Sequence, residues 1–145
     1  MGCSQPLKKE LQGIYIEAKQ ESENSQSNTY QYKLDLKQNE FELTITHSIT
    51  TRNESGGSIR IQAMSYLNGE FELKGDQSKN EELHILFKVS NASSQTGGVS
   101  FGVALPDPSS IVNFEMKFNN DNSISFVSFP KMTFSQLTGT LKYTG

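Results

Sequence analysis

The stretch YQYKLDLK, residues 30–37, decides the fold. Tyr30, Tyr32, Leu34 and Leu36 fall on one parity and Gln31, Lys33, Asp35 and Lys37 on the other, without exception. Successive side chains of a strand point to opposite faces, so this pattern specifies a half-buried β-strand rather than a helix. FELTITHSI, residues 41–49, repeats it, with Phe41, Leu43, Ile45 and Ile49 on one side and Glu42, Thr44, Thr46 and Ser48 on the other. His47 shares the apolar parity and is expected to point inward. The polar link Gln38-Asn39-Glu40 joins the two runs as a hairpin.

Working outward, SIRIQAMSYLNGEFELKG (58–75) places Asn68-Gly69 between two alternating runs. That dipeptide tolerates the positive φ values of a type I′ turn, so a second hairpin is expected there. LHILFKV (83–89), VSFGVAL (99–105), VNFEMKF (112–118), SISFVSF (123–129) and MTFSQLTGTLKY (132–143) continue the series, and Asn119-Asn120-Asp121-Asn122 marks a third hairpin. With LQGIYIEAK (11–19), eight to ten strands are expected, and only Pro6 to Gln12 could form a helical turn. QESENSQSNT (20–29), TRNESGG (51–57), SNASSQTGG (90–98) and PDPSS (106–110) read as loops, being rich in residues that favour turns.

An antiparallel meander of this kind must close or stack, because an open sheet leaves edges free to pair with other chains. Successive short turns favour a closed up-and-down β-barrel, lipocalin-like in outline, with a two-sheet β-sandwich as the alternative. Residues 1–10 form an N-terminal tether and residues 11–145 a single barrel domain.

Composition narrows the function. In 145 residues there are 13 basic and 16 acidic side chains, a net charge of −3, and no basic cluster interleaved with aromatics, so nucleic acid is not an expected partner. No apolar run reaches the roughly 18 residues of a membrane-spanning helix. The single cysteine, Cys3, excludes an internal disulfide.

Gly2-Cys3-Ser4 resembles the processed signal of a bacterial lipoprotein, in which a small residue directly precedes the cysteine that is lipidated. The eukaryotic alternative, myristoylation beside a palmitoylated cysteine, needs Ser or Thr at the sixth position, where Pro6 stands. Gly13-Ile14-Tyr15 is similar to the Gly-x-aromatic opening of lipocalin-like barrels, with Tyr where lipocalins carry Trp. Together these resemble a small envelope lipoprotein. The resemblance implies lipidation at Cys3, a membrane anchor, and a position facing the periplasm or the cell surface. It carries over no catalytic or ligand residue. The CxxC motif of metal-sensing envelope-stress lipoproteins and the Ser-Gly-x-x-Tyr segment of lysozyme-inhibitor lipoproteins are both absent from the chain.

No catalytic constellation is legible: only His47 and His84 could act as imidazole bases, and neither has a nucleophile and orienting group at a recognisable spacing. One Cys and two separated His make no metal-site spacing, so neither metal nor cofactor is expected. Binding remains. Tyr30, Tyr32, Phe41 and His47 face the barrel interior and could line a site for a small apolar ligand; Phe71, Phe87, Phe101, Phe114 and Phe118 would fill or line the same space. Met64, Tyr66 and Leu86 lie instead on the polar parity of their strands, through a parity-reversing bulge or as an exposed patch for a protein partner. The expected function is non-catalytic binding to a protein partner in an inhibitory, immunity or accessory role; the alternative is a carrier or sensor of a small apolar ligand.

Overall fold

Eight antiparallel strands in strict sequence order close on themselves, β1 pairing with β8, in a computed structural model that describes residues 6–78, 82–97, 111–128 and 137–145, the side chains of 95–97 excepted. The strands are β1 Gly13–Glu23, β2 Gln26–Leu36, β3 Glu40–Arg52, β4 Ser58–Lys74, β5 His84–Gly97, β6 Asn113–Phe118, β7 Ser123–Ser128 and β8 Thr140–Tyr143. This is the closed up-and-down barrel, and the sandwich is set aside. A single 3-10 turn, Lys9–Leu11, precedes β1 where the sequence admitted one.

The parity of 30–37 and 41–49 is kept throughout. Tyr30 pairs with His47, Tyr32 with Ile45, Leu34 with Leu43 and Leu36 with Phe41, and each of these side chains is buried. The link between β2 and β3 is closed by Lys37 N–H donating to Glu40 O at 2.9 Å. At the third expected hairpin Asn122 takes φ 64°, a left-handed value that Asn tolerates, and Asn119 N–H bonds Ser123 O at 2.9 Å.

Asn68-Gly69 is not a turn. β4 runs straight through it for 17 residues, with Ile61, Ala63, Ser65, Leu67 and Phe71 all buried on one parity. A two-residue turn would have set Phe71 on the face opposite Leu67, so the unbroken odd parity already opposed the hairpin. Gly69 serves a different need. Its partner β5 carries an extra residue here, the register passing from Asn68↔Asn91 to Gly69↔Val89, and a Cβ on Gly69 would stand 2.0 Å from the Lys88 carbonyl oxygen. The bulge therefore lies in β5, at Ser90, and does not reverse the parity of Met64 and Tyr66.

Two of the polar stretches read as loops are strand. Residues 20–29 form the ends of β1 and β2 around a two-residue turn at Asn24-Ser25, and residues 90–97 extend β5. β1 to β5 have 11 to 17 residues, while β6, β7 and β8 have 6, 6 and 4. Among the described residues there is thus a closed end, where all eight strands meet, and a ribbon end, where the long strands continue past the described parts of β6–β8. VSFGVAL, PDPSS and most of the segment before β8 lie outside the described residues.

At the closed end the core is aromatic: Phe87 stacks on Phe114 at 4.6 Å and meets Phe41 at 4.7 Å, and Tyr15 faces Phe118 at 6.1 Å. Leu7 and Leu11, on either side of the 3-10 turn's start, are buried in this core and cap it. Leu7 N–H donates to Gln38 O at 3.0 Å, so the packed domain includes residues ahead of 11. Closure between β1 and β8 is short, Tyr15↔Tyr143 and Ile16↔Lys142. It is reinforced by Glu17, whose carboxylate accepts from Thr138 N and Gly139 N, each at 2.8 Å. Gly13 fits the same seam, since a Cβ there would come 2.7 Å from the Tyr143 ring.

Candidate binding site

The interior candidates divide between the two ends. Tyr32 is 0% exposed and Phe41 1%, both inside the closed core. Tyr32 meets Phe126 edge-on at 5.4 Å, and Phe41 meets Phe87 and Phe114 edge-on, so rings occupy the space around them. Tyr30 and His47 stand further up, on the inner face of the ribbon, their rings stacked at 4.5 Å and 17°. His47, 8% exposed, sets Nε2 3.0 Å from Asn28 Oδ1, placed to donate. Burial lowers its pKa from 6.5 because the charged imidazolium loses hydration. Burial raises that of Tyr30, and the charge of Glu21 adds to it. The inward parity of His47 holds.

Met64 and Tyr66 lie on the outer face of β4, half-buried, with the Tyr66 hydroxyl donating to Met64 Sδ at 3.1 Å. Opposite them on β3 stand Thr46 and Thr44. This outer face is concave. Thr46 and Ser48 point outward yet are only 9% and 5% exposed, standing among the longer side chains of Lys33, Gln62, Met64 and Tyr66 that line the same hollow. The result is a hollow of about 350 Å³ lined by Thr29, Lys33, Thr46, Gln62, Met64 and Tyr66 among others. It adjoins a second, of about 440 Å³, nearer the ribbon tip. Thr29, Ser48 and Arg60 line both.

Leu86 does not join this patch. It is half-buried on the outer parity of β5 opposite Glu72, six residues along β4 from Tyr66, roughly 20 Å at strand spacing. Glu72 and Glu42 are exposed and meet Lys88 at 3.1 Å and Lys37 at 3.7 Å. His84 is part-buried against the Glu115 carboxylate. Cys3 lies outside the described residues.

The residues not anticipated are Arg52 and Arg60 with the hydroxyls between β2 and β3. Their signal was available: Thr29 and Ser27 on β2 and Thr44, Thr46, Ser48 and Thr50 on β3 all take the outward parity, one beside another. What concealed it was composition, since Ser and Thr at outward positions look like an ordinary wet face. Among the described residues no three His, Cys, Asp or Glu gather as a metal site, and no helix is long and apolar enough to cross a membrane. Comparison with known proteins finds no matching family model, no similar curated protein and no similar solved structure.

Proposed function

We propose that the chain is a non-catalytic binding lipoprotein of the bacterial cell envelope, anchored through a lipid on Cys3 and acting on a protein partner in an inhibitory, immunity or accessory role. The observation that carries the binding mode is the contrast between a closed core filled by rings and an outer hollow that holds Met64 and Tyr66 half-exposed. Met and Tyr are among the side chains enriched at the centres of protein interfaces, and both line this hollow. The anchor rests on Gly2-Cys3-Ser4 and on Cys3 being the single cysteine.

Two experiments test the halves separately. The full gene product expressed in a Gram-negative host should sediment with membranes and incorporate labelled palmitate, and Cys3→Ala should abolish both; equal labelling of the two proteins removes the anchor. Products of adjacent genes, co-expressed one at a time and scored by growth rescue and by pull-down, supply the partner. Met64→Lys with Tyr66→Glu should weaken that complex by about tenfold or more while circular dichroism stays unchanged. Recovery of a stoichiometric apolar molecule from the purified protein would instead favour the carrier reading, with Tyr30, Tyr32, Phe41 and His47 the residues to vary.

A further inference from the structure

The hollow nearer the ribbon tip has a chemistry of its own. Among the described residues the side chains lining it are Ser, Thr, Asn and Gln with two arginines, Arg52 and Arg60, and not one carboxylate. Arg60 stands opposite Thr50, two residues from Arg52, so the two arginines are diagonal neighbours on one face, about 7–8 Å apart at the backbone. Neither guanidinium has an ion-pair partner among the described residues. Glu54, in the turn that follows β3, does not line the hollow. Both arginines are exposed and on one face, so an anion lying between them would meet two positive charges with no competing carboxylate among the described residues that line the hollow.

From Arg60 the concave face continues past Ser48, Thr46 and Gln62 to Lys33, whose row is six residues further along β2, roughly 20 Å. Hydroxyl and amide side chains both donate and accept hydrogen bonds, which is what a ligand covered in hydroxyls requires. Apolar anchors are confined to Met64 and Tyr66 at the far end. An acidic peptide would satisfy the arginines and could meet the threonines only through its backbone, whereas a saccharide presents hydroxyls along its whole length to the hydroxyl and amide side chains of this face. We infer that the outer face of β1–β4 is a binding groove for a linear acidic saccharide, its carboxylates or sulfates held by Arg52 and Arg60 and its hydroxyls by Thr29, Thr46 and Ser48. The protein-partner reading is independent of this groove's ribbon half and does not depend on it.

Affinity electrophoresis and calorimetry with polygalacturonate, dextran sulfate, neutral dextran and poly-glutamate test the groove. Polygalacturonate or dextran sulfate binds and neutral dextran does not; Arg52→Gln with Arg60→Gln lowers that affinity by roughly tenfold or more. Thr29→Val with Thr46→Val, which keeps shape and β-branching, also weakens it several-fold, as a site of charge alone would not. The inference is overturned if no acidic saccharide binds, if the arginine variant binds as the parent does, if the threonine variant is unaffected, or if poly-glutamate binds as tightly as polygalacturonate. Thermal melts of each variant confirm that the fold is intact. Loss of saccharide binding in the arginine variant with the protein complex retained separates the two readings, as does the reverse in Met64→Lys with Tyr66→Glu.

Discussion

The closed end and the ribbon end share the five long strands β1 to β5, yet different forces hold them. At the closed end each strand buries Leu, Ile, Phe or Tyr against a shared core, from Tyr15 through Leu34, Leu43, Leu67 and Phe87 to Leu141. In the ribbon the buried apolar set among the described residues is Ile49, Ile61 and Ala63, with Tyr30 and His47 stacked beside them. Ladder hydrogen bonds and cross-strand polar pairs must supply the rest, and such pairs contribute only about 0.2–1 kcal/mol each. A protein that separates its stability from its polar surface in this way can vary the surface with little effect on the fold.

The largest effect that tests this contrast is truncation of Phe87, which touches Phe41, Phe71 and Phe114. Phe87→Ala should cost about 3–5 kcal/mol, against nearer 2 kcal/mol for Ile61→Ala in the ribbon. Urea midpoints at unchanged m-value read the difference. Equal losses would mean that the two ends share one core.

Next comes Gly69, at the boundary between the ends. In an ordinary strand position Ala stabilises relative to Gly by about 0.5–1 kcal/mol. Here the added methyl meets the Lys88 carbonyl oxygen, a backbone atom that cannot swing aside, so Gly69→Ala should destabilise by about 1–3 kcal/mol. A neutral or stabilising result would mean that the β5 backbone stands further from Gly69 than the bulged register Gly69↔Val89 places it.

These two sites also show what the sequence made legible. The closed end declared itself because one face of each strand is buried, and period-2 alternation is the direct record of that burial. At Asn68-Gly69 a local turn preference competed with the alternation running through it, and tertiary pairing with the bulged β5 prevailed. Residues 20–29 and 90–97 escaped notice because a ribbon strand with few buried positions has the composition of a loop. The outer hollow was hidden for a related reason. Its residues alternate correctly, but a hollow depends on which side chains of β1 to β4 stand side by side, which no single strand's pattern contains.

His47 sharpens the comparison without a large change in stability. Its folded pKa lies below the ordinary 6.5, so between the two values the unfolded chain binds a proton that the native protein does not. Its contribution is therefore present above pH 6.5 and is lost as pH falls through the folded value. NMR titration should place the imidazole midpoint below 6.5, and His47→Phe should flatten the stability profile in that window while leaving partner binding unchanged. An unshifted midpoint would mean that the ribbon's inner face is as wet as its outer one, and the register Tyr30↔His47 would need revision.

The smallest expected effect lies where the two ends meet. Ser65 sits between Ile45 and Ser94 in the register, fully buried on the inner face of β4, and its Oγ has no hydrogen-bond partner among the described residues. A buried hydroxyl without a partner forfeits its hydration, so deleting it removes a penalty of about 1–3 kcal/mol while giving up only the packing of one atom. Ser65→Ala should thus be neutral or stabilising by about 1 kcal/mol, in contrast to every truncation below it in the closed core. The same substitution at Ser48, whose hydroxyl stands on the sheltered outer face, should leave stability unchanged and appear only in saccharide binding. If Ser65→Ala destabilises instead, the hydroxyl is satisfied by a bound water or by a segment folded over the ribbon's inner face, and the polar character of the ribbon extends inward as well as outward.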